Sequence, residues 1–403
     1  MARTSQVAIG ASDDARRAST GRVVGAGVIA LAHAVNDSYA YILPPLLPVL
    51  LAQANLTLGT GAALVSIQQL AASFMQPIFG HWADRSGGGR WMAWTGVLVC
   101  GVGAAALGVA PGFAGLAVAM FATGIGAALF HPVSAALVAQ AAPPAQRGFW
   151  MSAYISSGNV GLGIGPLLVG LVLVQSGLRG TWLLGLPALC AAALIWRLAP
   201  RRPGRGAGSS GSLLSVLGRH WRVLVGLVSV VGLRSWASTS FTTFLPVLAT
   251  LRGAAPSDAA QVLTVFLISG AIGGFAGGAM SDRLGRDRVV VGSFLLSVPC
   301  GVALALLDQF GPAFWLAAAA TGLFLNGSWI PLTVRGQESV PGSIAMMCGL
   351  MLGLSIGLGG IAVAPIGVVA DSLGLERVIA IVAALPLLGA LIMRFVPRPE
   401  RAR

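Results

Sequence analysis

The segment GAMSDRLGR, Gly278–Arg286, has a looser counterpart in GHWADRSGGGR, Gly80–Arg90, and the two lie near an offset of 198 residues. Asp84 then matches Asp282 and Arg85 matches Arg283. Thr-Gly at 123–124 matches Thr-Gly at 321–322, Pro143 matches Pro341, and Pro166 falls one residue off Pro365. ILP at 42–44 aligns with FLP at 244–246, so the region of Asn36 and Asp37 corresponds to the stretch from Arg234 to Thr239. Several fixed points at nearly one spacing imply a chain built from two copies of one unit.

Each copy reads as six apolar runs. The chain is 56% hydrophobic and 9% charged, with 56 glycines in 403 residues and a mean hydropathy of +0.84. That composition excludes an ordinary soluble domain and places the chain among polytopic membrane proteins. Runs of about 20 residues predict helices at 23–51, 59–83, 91–110, 113–139, 149–174 and 181–199. The second copy predicts them at 222–250, 259–281, 289–307, 313–334, 344–370 and 378–396. The fold class expected is an all-α membrane protein of twelve transmembrane helices in two pseudo-symmetric six-helix bundles.

A net charge of +13 would suggest nucleic acid in a soluble protein, but the positions of the charges point to topology instead. Of the 25 basic residues, all arginine, only Arg179, Arg252 and Arg377 fall in loops on one side, and Arg234 falls inside the seventh run. All the others fall on the opposite side or in the tails, which predicts both termini in the cytoplasm. Arg16, Arg17 and Arg22 followed by an apolar run and Ala-His-Ala at 32–34 mimic a cleavable signal. The run continues past Ala34, which favours an uncut first helix. The division expected is a tail at 1–22, a bundle at 23–199, a cytoplasmic linker at 200–221 around RRPGRGAGSSG, a second bundle at 222–396 and a tail at 397–403. Cys100, Cys190, Cys300 and Cys348 lie in apolar runs without metal-site or disulfide spacing. No cofactor, metal or enzymatic activity is expected. Composition points to the bilayer and to no nucleic acid as partners.

Joined six-helix halves are the architecture of the major facilitator superfamily, and the loop pattern complete at Gly278, Asp282, Arg283, Gly285 and Arg286 is similar to its signature. The copy at Gly80, Asp84 and Arg85 is looser. In physical terms such charges cap helix ends and pair across helices, holding one conformation closed until the halves rock, a gating role. AHAVND (32–37), QLAASFMQPIFGHWADR (69–85), FHP (130–132), GNVGLGIGPLL (158–168) and GQESVPG (336–342) together resemble the fosmidomycin resistance family, whose members are proton-driven drug exporters of the inner membrane. The resemblance implies a small-molecule substrate and protons as partners, for a monomer. Val133 and Met120 depart from the residues common at those positions. Gly161, Gly165 and Pro166 approximate the G-x-x-x-G-P motif of superfamily antiporters, where small residues allow close helix packing.

Inside this apolar setting the ionisable residues are candidates for function. His33 and Asp37 share one helical face with Tyr41, and Asn36 sits beside them. At about 1.5 Å per residue, His33 and Asp37 lie roughly 15 and 21 Å from the inner end of their helix, His131 roughly 12 Å and Arg234 roughly 18 Å from theirs. Asp37, with His33 and His131, is the candidate for proton coupling. Arg234, as a fixed cation, suits a phosphonate or carboxylate, with Asn36, Tyr41, Gln68, Gln69, Asn159, Asn326 and Trp329 as further lining. The alternative is a structural Asp37–Arg234 ion pair. For transport direction, export and proton-coupled import of organic anions both remain open. A membrane-embedded acid–base enzyme lacks an accompanying nucleophile, metal cluster or cofactor loop, and a transport-dead sensor would bind without flux. A chain without lysine has no phosphate-binding loop of the G-x-x-x-x-G-K type.

Overall fold

The computed structural model describes residues 21, 23–53, 56–86, 89–143, 146–199, 213–339 and 344–397. Among them there is no strand. The first half contains α1 (23–38), α2 (Leu43–Gln53), α3 (Leu58–Ser86), α4 (Arg90–Ala106), α5 (Gly112–Ala141), α6 (Arg147–Ser176) and α7 (Gly185–Leu198). The second contains α8 (Leu213–Leu251), α9 (Pro256–Leu284), α10 (Arg286–Leu306), α11 (Pro312–Gly327), α12 (Trp329–Ser339), α13 (Ile344–Leu373) and α14 (Leu375–Met393). Ten stretches are long and apolar enough to cross a membrane. α4 falls one residue short of the 18 such a span needs, and α1 and α2 are two parts of one crossing, which completes twelve spans in two bundles.

The differences from the expected helices have local causes. The first span, expected as one helix over 23–51, breaks at 39–42. Pro44 and Pro45 have no N–H to give the carbonyls of Ala40 and Tyr41, and their rings crowd the preceding turn. The chain closes instead with short turns from Tyr39 to Asn36 and from Ala40 to Asp37. The tenth span, expected unbroken over 313–334, divides at Ser328, where Pro331 cannot serve the carbonyl of Gly327. The sixth span starts with a 3-10 segment, Leu178–Leu184, and is α-helical only from Gly185. α8 starts at Leu213, nine residues before the expected boundary, because Leu213, Leu214, Val216 and Leu217 continue a helical apolar pattern into the linker. The linker residues 201–211 and the two tails' ends lie outside the described residues.

Gly285, at φ +91°, turns the chain between α9 and α10 in a conformation that a side chain disfavours, which explains the glycine of the repeated loop pattern. Each half packs internally through helix pairs such as α4–α5, α3–α5, α9–α11 and α10–α14. Val118, Phe275 and Leu316 are among the many large apolar residues left exposed on the periphery, as a lipid-facing surface requires. Lipid is as apolar as the side chains, so packing and hydrogen bonds hold the helices together.

The halves meet through α3 with α13, α6 with α9, and α2 with α8 and α9. This seam is anchored at the end where arginines are sparse. Thr57 caps α3 locally through a bond from the Thr60 amide to its hydroxyl, 3.2 Å. The amides of Leu58 and Gly59 donate to the Asp371 carboxylate at the end of α13, at 2.7 and 2.8 Å. A carboxylate from one half therefore caps a helix of the other. Further along, Gly170 faces Ser257 and Ala260, and Gly360 faces Gln69.

Candidate functional site

Asp37 ends α1 immediately before the proline-induced break, and α5 and α6 bring their own groups to it. His33 Nε2 lies 3.2 Å from Asp37 Oδ2, and His131 Nε2 lies 2.9 Å from Oδ1. Their side chains are 9%, 15% and 29% exposed for His33, Asp37 and His131, so the cluster opens towards His131. Asn36 donates to Asp37 Oδ1 at 3.2 Å. The His33 ring stacks on Tyr154 at 3.9 Å between centroids and 12° between planes, and its Nδ1 donates to the Tyr154 carbonyl at 2.7 Å. The Tyr154 hydroxyl is fixed in turn by Ser134, 2.7 Å away.

One consequence follows from donors and acceptors alone. The Tyr154 carbonyl only accepts, so Nδ1 carries the hydrogen and neutral His33 presents a lone pair at Nε2 to the carboxylate. Two lone-pair faces at 3.2 Å repel. A proton on either atom, or a cation among them, makes the contact attractive.

Glycines set the approach of α6 to α1. A Cβ on Gly161 would stand 2.1 Å from the Ala34 carbonyl oxygen, and one on Gly165 2.1 Å from that of Ser38. Pro166 is buried beside them. A Cβ on Gly158 would stand 2.5 Å from His33 Cε1 and 2.7 Å from Asp37 Oδ2. Gly158 and Tyr154 thus belong to the site although sequence reading assigned them no role. The only signal for Gly158 was its place at the head of the glycine-rich run.

In the second half, Arg234 is buried at 4% exposure. Its guanidinium donates to Asn326 Oδ1 and lies 4.3 Å from the Trp329 ring centroid, with Nε buried and unpartnered. Asn326 is held in place by donating to the Gly322 carbonyl at 3.0 Å. Asn326 and Trp329 flank the break at Ser328, as Asp37 flanks the break in the first span. The expected alternative, an Asp37–Arg234 ion pair, is not formed: Asp37 is taken by two histidines, and Arg234 has no acidic partner among the described residues. Tyr41, in the first break, lies within electrostatic reach of both. His131 stands 198 residues before Trp329, while the local alignment of ILP with FLP, offset by 202, puts Asn36 and Asp37 opposite Ser238 and Thr239, about one helical turn beyond Arg234.

The other expected residues are dispersed. Gln68 donates to the Tyr39 carbonyl at 3.0 Å, supporting the break, and Gln69 lies in the α3–α13 seam. Asn159 is exposed on α6. Gly80 packs near Pro132 and Gly278 near Ile330. Asp282 pairs with Arg286, which also reaches Glu338 at 3.3 Å, while Arg283 is exposed. The side chains of Asp84 and Arg85 lie outside the described residues. Sequence reading also missed Arg335, 1% exposed, which joins Asp287 at 2.9 Å, Ser339 at 2.7 Å and the Pro397 carbonyl at 2.6 Å.

This arrangement of paired six-helix bundles with broken spans at the seam matches a known profile. The Major Facilitator Superfamily profile matches residues 29–361 and, separately, 227–403. The chain belongs to the major facilitator superfamily. It is 30% identical over 380 residues to the fosmidomycin resistance protein of Escherichia coli, covering 91% of both chains. It is also 30% identical over 378 residues to the MFS-type transporter YfnC of Bacillus subtilis, covering 90% of both. Among solved structures, a bacterial homologue of the human lysosomal transporter Spinster, in an inward-facing and unoccupied conformation, superposes with a TM-score of 0.80 at 17% identity, over 93% of this chain and 97% of the other. The nucleoside transporter NupG does so with a TM-score of 0.79 at 13% identity, over 93% and 99%. As a superfamily member this chain is a multi-pass membrane transporter of small molecules, acting by secondary transport.

Proposed function

We propose that the chain exports small anionic drugs or metabolites, fosmidomycin-like in chemistry, in exchange for protons across the bacterial inner membrane. The observation that carries this reading is the division of the seam into two clusters. One is a His33–Asp37–His131 cluster that needs a bound cation to be stable. The other is a buried Arg234 with no acidic partner among the described residues. A buried guanidinium with an unused Nε, oriented by Asn326 and Trp329, suits a planar or tetrahedral oxyanion. The proton occupies the His33–Asp37 contact. The export direction draws on the name of the relative from Escherichia coli. With the arginine-rich side placed in the cytoplasm, the cross-half cap at Asp371 joins the two halves at the outer end.

A second reading is proton-coupled import of an organic anion through the same two clusters. An anion held at Arg234 attracts a proton to Asp37, and co-binding is the sign of symport. Antiport requires the opposite sign, in which protonation weakens substrate binding.

The test is fosmidomycin flux in proteoliposomes under an imposed pH gradient, with binding measured across pH, for the wild type and Asp37→Asn. Gradient-driven flux that disappears in Asp37→Asn while binding persists supports proton coupling through Asp37. Flux unchanged in the variant sinks that role, and binding that tightens on acidification selects symport over exchange.

A further inference from the structure

The contact that needs a cation can be satisfied by more than a proton. The geometry points to a binding site for a divalent transition-metal ion of the zinc class, formed by His33 Nε2, the Asp37 carboxylate and His131 Nε2. The three donor atoms lie within 4.8 Å of one another. His33 Nε2 lies 3.2 Å from Asp37 Oδ2 and His131 Nε2 2.9 Å from Oδ1, each near the donor–donor edge of about 3.3 Å for bonds of about 2.0 Å, with the carboxylate presenting one oxygen to each imidazole. His33 and Asp37 are four apart on one helical face, a ligand spacing, but the third donor, His131, is 94 residues from Asp37 in the chain, which is why a reading of the sequence expects no such site.

The donor set and its surroundings agree. Two imidazoles and one carboxylate favour zinc, cobalt or nickel over magnesium or calcium, which prefer all-oxygen shells. His33 is already in the tautomer a ligand requires, because its Nδ1 hydrogen is given to the Tyr154 carbonyl at 2.7 Å, the outer-sphere bond that metal-binding histidines use. Its ring is held by the stack on Tyr154. The His33 and His131 rings stand at 85° with centroids 5.3 Å apart, so both Nε2 atoms face the carboxylate without the rings colliding. Gly158 closes one side of the cluster against α6, while the more exposed His131 leaves an entrance. Three protein ligands leave at least one coordination position for water.

Occupancy by a metal fills the place assigned above to the coupling proton. The effect on transport therefore rests on that reading, whereas the site itself does not. The chain has four histidines, so His81 and His220 serve as internal controls. The experiment is titration of the purified full-length protein, free of any polyhistidine tag, with Co2+ alone, followed by its visible absorption. The expected result is one Co2+ per chain in a low-coordinate nitrogen–oxygen site, displaced by Zn2+ and indifferent to Mg2+. His33→Ala, Asp37→Asn and His131→Ala should each weaken binding by about tenfold or more, and His81→Ala and His220→Ala should leave it unchanged. If a cluster variant fails to fold, the wild-type stoichiometry and a thermal shift given by Zn2+ but not Mg2+ decide the matter. Absence of a Co2+ spectrum in the wild type, or binding that follows His81 or His220, overturns the site. Tight binding with proton-driven flux unaffected by Zn2+ keeps the site and removes the cluster from the coupling cycle. No metal bound, with flux lost in Asp37→Asn, does the reverse.

Discussion

Removing the Asp371 carboxylate tests how the halves are held at the arginine-poor end. In Asp371→Ala the amides of Leu58 and Gly59 lose their partners at 2.7 and 2.8 Å, while the Thr57 cap within α3 remains. Losing a helix cap costs about 1 kcal/mol, within a range of roughly 0.5–2. Losing a negative charge at a helix N-terminus costs about 0.3–1 kcal/mol more at an exposed position. Asp371 is exposed, so a total of about 1–2 kcal/mol is appropriate, which changes a two-state ratio by roughly 5–30-fold. The bond crosses from one half to the other, so that change falls on the equilibrium between closed and open at this end. Spin labels at Val109 and Leu306, exposed at 70% and 67% and on opposite halves, report it by pulsed electron resonance in a cysteine-free background. The population at long distance is expected to rise by about that factor in Asp371→Ala, and by less in Asp371→Asn, which keeps an acceptor. An unchanged distance distribution in a folded Asp371→Ala protein would refute the idea that this cap holds the halves together.

Four further outcomes are expected. Gly165→Ala places a Cβ 2.1 Å from the Ser38 carbonyl oxygen and should cost about 1–3 kcal/mol through forced separation of α1 and α6; a melting temperature equal to the wild type would contradict the close approach. Arg335→Ala leaves Asp287, about a third exposed, and the Pro397 carbonyl without their partner and should lower stability by about 1–3 kcal/mol, read by thermal unfolding in detergent; an unchanged melting temperature would count against the network. Tyr154→Phe removes the bond to Ser134 but keeps the ring stack and the backbone carbonyl, so it should cost about 1 kcal/mol and leave the pH dependence of flux intact; a shifted profile would mean the hydroxyl itself takes part. Arg234→Lys keeps the charge but loses the planar fork over Trp329, so fosmidomycin binding should weaken tenfold or more, by about 1.4 kcal/mol; undiminished affinity would remove Arg234 from the substrate site.

The two-copy architecture was legible because duplication leaves marks that do not depend on packing: the Asp-Arg pairs 84–85 and 282–283 and the one-sided arginines. The burial of His33, Asp37 and Arg234 was legible from the rarity of such groups in apolar runs. Their partners were not. Helical depth alone puts Asp37 and Arg234 at similar heights, which suggests that they pair, yet height carries no information about rotation. The partners of Asp37 depend on how far α6 can approach α1, and the Cβ clearances at Gly158, Gly161 and Gly165 set that distance. The breaks were written in Pro44, Pro45 and Pro331, but an apolar-run reading averages over single residues and passes across them. The Asp371 cap, between residues more than 300 positions apart, has no local signature at all.

Duplication gave each span of this chain a counterpart in the other half, and the two clusters near the seam differ in chemistry. In its first span the first copy keeps Asn36 beside a carboxylate, and in the corresponding span the second keeps Arg234. At another place the first keeps His131 and the second Trp329. An ancestor made of two identical halves would have carried the same chemistry on both sides of its axis. Here acid and imidazole have been sorted to one side, guanidinium and indole to the other, around a shared scaffold of glycines and prolines. A substitution in one cluster therefore leaves the side chains of the other in place.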